Sequence, residues 1–73
     1  MKVCILIRVA PGKGKAALEA VKRFSAIKKV HLVFGRYDIV AFAEAQNYEA
    51  VSTLTANINS IKELKSTESL IEA

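Results

Sequence analysis

The sequence predicts an α+β domain with the order β-α-β-β-α-β. Three observations carry that expectation. Four short stretches alternate apolar residues with period two, two stretches repeat them at three- and four-residue steps, and turn-forming residues separate them. With 73 residues the chain holds a single domain spanning 1–73.

Residues 2–9, KVCILIRV, are the first predicted strand. Val3, Ile5, Ile7 and Val9 alternate with Cys4, Leu6 and Arg8, so both faces are largely apolar. Pro11, Gly12 and Gly14 end it. A helix is expected over 14–25, with Ala17, Val21 and Phe24 as its apolar stripe, Leu18 beside them, and Glu19 four residues before Arg23. Residues 27–34, IKKVHLVF, form the second strand, and Gly35-Arg36 is expected to turn tightly into a third over Tyr37 to Ala45. Asn47 suits the N-cap of a second helix striped by Tyr48, Val51, Leu54 or Thr55, Ile58 and Ile61, with Glu49 in its first turn. Residues 64–72, LKSTESLIE, form a final strand polar enough for a sheet edge.

This order is the ferredoxin-like split βαβ pattern: a four-stranded antiparallel sheet with two helices on one face. Strands one and three are central in that topology and are apolar on both sides. The face the helices leave open therefore calls for a partner, and the simplest is a second copy related by a twofold axis, giving a dimeric α/β barrel. Size points the same way. A domain this short is marginal alone. With Cys4 as the one cysteine and His31 as the one histidine, neither an intrachain disulfide nor a zinc site is expected. No cofactor is implied.

Charge is uneven. Residues 1–36 carry nine Lys or Arg against Glu19 alone, while residues 37–73 carry Lys62 and Lys65 against six acids, for a net charge of +4. A basic half can mark nucleic-acid binding, but a solvated helix face explains it more simply. No stretch is long enough to span a membrane, and Arg8 interrupts the only signal-like run, so a cytoplasmic protein is expected.

Two polar clusters could carry chemistry. In Gly35-Arg36-Tyr37-Asp38, Gly35 permits positive φ, the turn amides and Arg36 could hold a carboxylate, and Asp38 could receive an ammonium group. The same residues suit an ordinary hairpin, with Asp38 satisfying turn amides, and residue types alone favour that reading. Thr67 and Ser69 share one strand face and could bond a small polar ligand, or simply keep an edge polar. Enzyme signals are poor: His31 sits mid-strand among apolar neighbours, where a partly buried structural role is expected.

The run Val30-His31-Leu32-Val33-Phe34-Gly35-Arg36-Tyr37-Asp38-Ile39-Val40 resembles the middle of the effector-binding domain of Lrp/AsnC regulators, whose pattern is Gly-x-Tyr-Asp between two apolar strands. The tail, Leu64-Lys65-Ser66-Thr67-Glu68-Ser69-Leu70-Ile71, is similar to the family's closing strand, with Ser69 where a threonine is usual. The resemblance implies dimers joined through open sheet faces and a further assembly into four dimers. It also implies an amino-acid effector held between dimers by Gly35, Arg36, Tyr37, Asp38, Thr67 and Ser69. The family's helix-turn-helix domain is missing from this stretch. That implies an effector domain without sequence-specific DNA binding, able to assemble with a full-length paralogue. The alternative is a small dimeric α/β-barrel enzyme, such as a cofactor-free monooxygenase, which would need a polar pocket inside the barrel.

Overall fold

The structure, a computed structural model, describes residues 1–72. Strand β1 is Lys2–Val9, helix α1 Gly14–Lys22, β2 Ile27–Leu32, β3 Ile39–Glu44, α2 Tyr48–Asn59 and β4 Leu64–Ile71. The four strands form one antiparallel sheet in the order β2-β3-β1-β4, the ferredoxin-like arrangement expected from the sequence. The two apolar-on-both-sides strands, β1 and β3, are the central pair.

Strand alternation sorts residues between two faces. Val3, Ile5 and Ile7 of β1 and Ile39, Ala41 and Ala43 of β3 are buried under the helices. Alanines at 41 and 43 keep that floor flat, so Ala17 and Val21 of α1 and Val51, Leu54 and Ile58 of α2 pack onto it in one core. Both helices face the sheet with the apolar stripes read from their spacing, except that Tyr48, expected in the α2 stripe, is 66% exposed, and Ile61 packs against the core from beyond the helix end. Asn47 caps α2 as expected, its Oδ1 accepting from the Ala50 N–H at 2.8 Å.

Three local expectations are corrected. Helix α1 stops at Lys22 rather than residue 25. The Arg23 and Phe24 amides close back onto Ala20 and Val21, a tightening turn that ends the helix and drops Phe24 against the core. With the helix cut short, Glu19 pairs with Lys22 at 3.9 Å, not with Arg23. The hairpin is wider than a Gly35-Arg36 turn: β2 ends at Leu32 and β3 begins at Ile39, leaving residues 33–38 as a loop.

The open face carries Cys4 and Leu6 of β1, His31 of β2, Val40 and Phe42 of β3, and Glu68 and Leu70 of β4. Phe42 keeps 42% and Leu70 50% of their surface exposed. His31 is also exposed, with its ring edge-on to Phe42 at 6.3 Å, and this corrects the partly buried role expected for it.

Candidate functional site

The 33–38 loop is fastened to the sheet at several points. The Val33 N–H donates to the Asp38 carbonyl at 2.9 Å and narrows its neck. The Asp38 N–H donates to the Ile7 carbonyl at 2.8 Å. Strand β1 shifts register against β4 at Arg8/Val9, and the Val9 N–H donates to Asp38 Oδ2 at 2.9 Å. A half-buried amide at an irregular strand end needs such a partner, and a carboxylate is a strong one. Asp38 is thus a staple between loop and central strand. Its second oxygen still offers acceptor capacity.

Gly35 sits at φ +129°, a conformation that side chains disfavour. It lets the chain reverse so that Phe34 projects fully into solvent while Tyr37 lies back across β1. The Tyr37 hydroxyl donates to Glu68 Oε1 at 2.6 Å. That bond, with the negative charge of Glu68, raises the Tyr37 pKa above its ordinary value, while Arg36 and Arg8 act in the opposite direction.

Two clefts flank the loop. The one on the open face, about 380 Å³, is lined by Arg8, Gly35, Arg36 and Tyr37. The other, about 260 Å³, lies between the loop and the start of α1; Asp38, Leu32, Phe34, Pro11 and Gly14 help line it. Two further concavities on the open face, of about 370 and 400 Å³, share Phe42 and are mostly apolar.

Thr67 and Ser69 stand elsewhere. Thr67 pairs with Ile7 on the helix-covered face, and its hydroxyl donates to Asn59 Oδ1 at the end of α2. Since β1 separates β3 from β4, Thr67 lies two strand spacings from Ile39, roughly 10 Å. One protomer therefore brings together Gly35, Arg36, Tyr37 and Asp38, and holds Thr67 and Ser69 apart. Sequence reasoning missed Arg8, Glu68 and the Val9 amide. A signal existed for the first: Arg8 is the one charged residue in the otherwise apolar run from Val3 to Val9.

A sequence model of the Lrp/AsnC ligand binding domain matches residues 2–72. The chain belongs to that family. Among solved structures, this Lrp/AsnC domain is similar to TTHA0845 from Thermus thermophilus, with 28% identity, a TM-score of 0.90, and coverage of 99% of this chain and 94% of that one. It is similar to E. coli AsnC at 23% identity and a TM-score of 0.91, covering 97% of this chain and 49% of AsnC. A third likeness is the transcriptional regulator NMB0573 from Neisseria meningitidis, solved as an L-Met complex: 13% identity, a TM-score of 0.83, and coverage of 97% and 49%. No curated protein sequence matches significantly. The family is regulatory. Among the described residues no helix of this Lrp/AsnC domain is long and apolar enough to cross a membrane.

Proposed function

We propose that this Lrp/AsnC domain binds a free amino acid and converts that binding into a change of assembly that a DNA-binding paralogue reads. The family match over residues 2–72 carries the reading. A regulator of similar fold solved with L-Met supports the ligand class. In this proposal the domain works in the cytoplasm and is not a catalyst. The lone histidine supports that, standing against Phe42 on the open face rather than beside an acid or nucleophile. The dimer forms through the open face, where Leu6, Phe42 and Leu70 supply the apolar surface, and dimers assemble further, up to four.

The amino-acid carboxylate would meet the Gly35 and Arg36 amides, and the ammonium group would meet the Asp38 oxygen that Val9 does not use. Thr67 and Ser69 lie too far from the loop of their own protomer, so in this reading a neighbouring copy brings them to the pocket. The described residues contain no helix-turn-helix, and sequence-specific DNA contact is assigned to the paralogue.

A thermal-shift screen of the proteinogenic amino acids tests the reading. A native-state ligand at about 100 times its Kd adds about 2.7 kcal/mol of stability, a readily measured rise in melting temperature. One or a few amino acids are expected to give it, with calorimetric titration confirming saturation. If none binds at millimolar concentration, the amino-acid reading fails.

A further inference from the structure

The open-face cleft beside the loop adds to Gly35, Arg36 and Tyr37 a charged residue that the amino-acid reading does not use, Arg8. Arg8 projects from β1 on the open face, next to the Ser66 position of β4. Arg36 reaches the same cleft from the loop, and Tyr37 forms its wall. Among the described residues the one ion pair is Lys22–Glu19 on α1, so neither guanidinium has a carboxylate at ion-pair distance. Of the acids on this face, Glu68, two residues along β4 from Ser66, is engaged by the Tyr37 hydroxyl.

The cleft is also preorganised. Arg8 stands on the central strand, between β3 and β4. Arg36 is anchored by the two residues that follow it. Asp38 is stapled to Ile7 and Val9 two residues after it, and Tyr37 is pinned to Glu68 one residue after it. Gly35, before it, leaves open space where a Cβ would stand. Two unpaired guanidiniums aimed into one concavity, with a fixed aromatic wall, suit an acceptor with several forked oxygens and no positive charge.

We propose that Arg8, Arg36 and Tyr37 form an anion site for the oxyanion group of a small molecule, a phosphoryl or carboxylate group, separate from the Asp38 side of the loop. Arg8 is one residue from the end of β1, so the site sits at the rim of the open face and stays reachable when a second copy covers the apolar centre. The site shares Gly35, Arg36 and Tyr37 with the loop of the amino-acid reading and adds Arg8, so variants at Arg8 and at Asp38 tell the two apart.

The test is an NMR titration of the full chain with sodium phosphate and, separately, sodium acetate, against sodium chloride at matched ionic strength. The arginine Nε–Hε signals are followed. Saturable shifts of the Arg8 and Arg36 signals with phosphate or acetate, and not with chloride, are expected. The tighter of the two tells whether a phosphoryl or a carboxylate group is preferred. R8Q and R36Q should each weaken binding at least about tenfold, the size of losing a charge-assisted hydrogen bond. K29Q, a change to one of the two lysines of β2, two strands over from β1 and level with Cys4 rather than Arg8, should leave it unchanged. Shifts that are no larger than with chloride would overturn the proposal. So would an R8Q variant that binds as tightly as the parent, or a K29Q variant that loses as much. Loss of amino-acid binding in D38A with phosphate binding intact would separate the two sites.

Discussion

The two faces of the sheet are built from neighbouring residues of the same strands and end in opposite states. Ile5 and Ile7 are completely buried, while Leu6 between them is only half-buried. Ala41 and Ala43 are sealed under the helices, while Phe42 between them stays 42% exposed. The covered face is closed by its own chain: the alanines of β3 are small where helices must approach, and the helix stripes fill the remaining space. The open face has the apolar residues of a core without the layer that closes one. Folding of the chain is thus written on one set of alternate residues of β1 and β3, and the proposed association with a second copy on the other set.

That contrast is broken most strongly on the covered side. Ile7→Ala removes methyl groups from a site with no solvent access and should cost about 2–5 kcal/mol in urea denaturation. The loss should be the same at low and high protein concentration. Leu6→Ala, its neighbour, should cost less and show its effect as a steeper dependence of melting temperature on concentration. If both variants behave alike, the two faces are not functionally distinct.

Asp38 joins the faces at the loop end. Asp38→Ala leaves the Val9 amide without its acceptor and should destabilise by about 1–3 kcal/mol. Hydrogen exchange should localise the loosening to residues 33–38. Exchange unchanged there would mean that the staple does not hold the loop. On the covered side, Asn47→Ala removes the cap of α2 and should cost about 1 kcal/mol by denaturant titration.

The smallest effect belongs to the Tyr37–Glu68 bond. Neutral Tyr37 donates to Glu68, so its folded pKa is raised above the unfolded value near 10. The sign follows from linkage. The bond's contribution is present below about pH 10 and is lost as pH rises through the higher folded value. Glu68→Gln should move the Tyr37 midpoint downward in an ultraviolet titration. A midpoint that stays put would show that the bond does not form in solution.

The comparison also explains how far the sequence could be read. Alternation in β1 and β3, the α2 stripe from Val51 to Ile58 and the Asn47 cap are local signals that appear in the structure, whereas Tyr48, read as part of that stripe, faces solvent. The hairpin width was not legible. Val33 and Phe34 continue the apolar pattern of β2 and imitate strand, yet Phe34 points wholly into solvent, and the loop is held by long-range bonds from Asp38 to Ile7 and Val9. Of the site, Gly35 to Asp38 was visible as a cluster because its residues are adjacent in sequence. The separation of Thr67 and Ser69 from that cluster depends on β1 running between β3 and β4, and so on strand order. Glu68 lies between those two hydroxyl residues and belongs to the opposite face, where it meets Tyr37. Period-two alternation contained that fact, but its partner could be found only in the folded sheet.

Sedimentation or light scattering of the parent chain and a Phe42→Glu variant, across micromolar concentrations, tests most directly that a second copy closes the open face. The parent should run as a dimer or larger species. The variant, carrying a charge where the apolar face would be buried, should fall to a monomer, because an unpaired charge resists burial. A parent chain that is a stable folded monomer at these concentrations would contradict the account, as would a Phe42→Glu variant that assembles as the parent does.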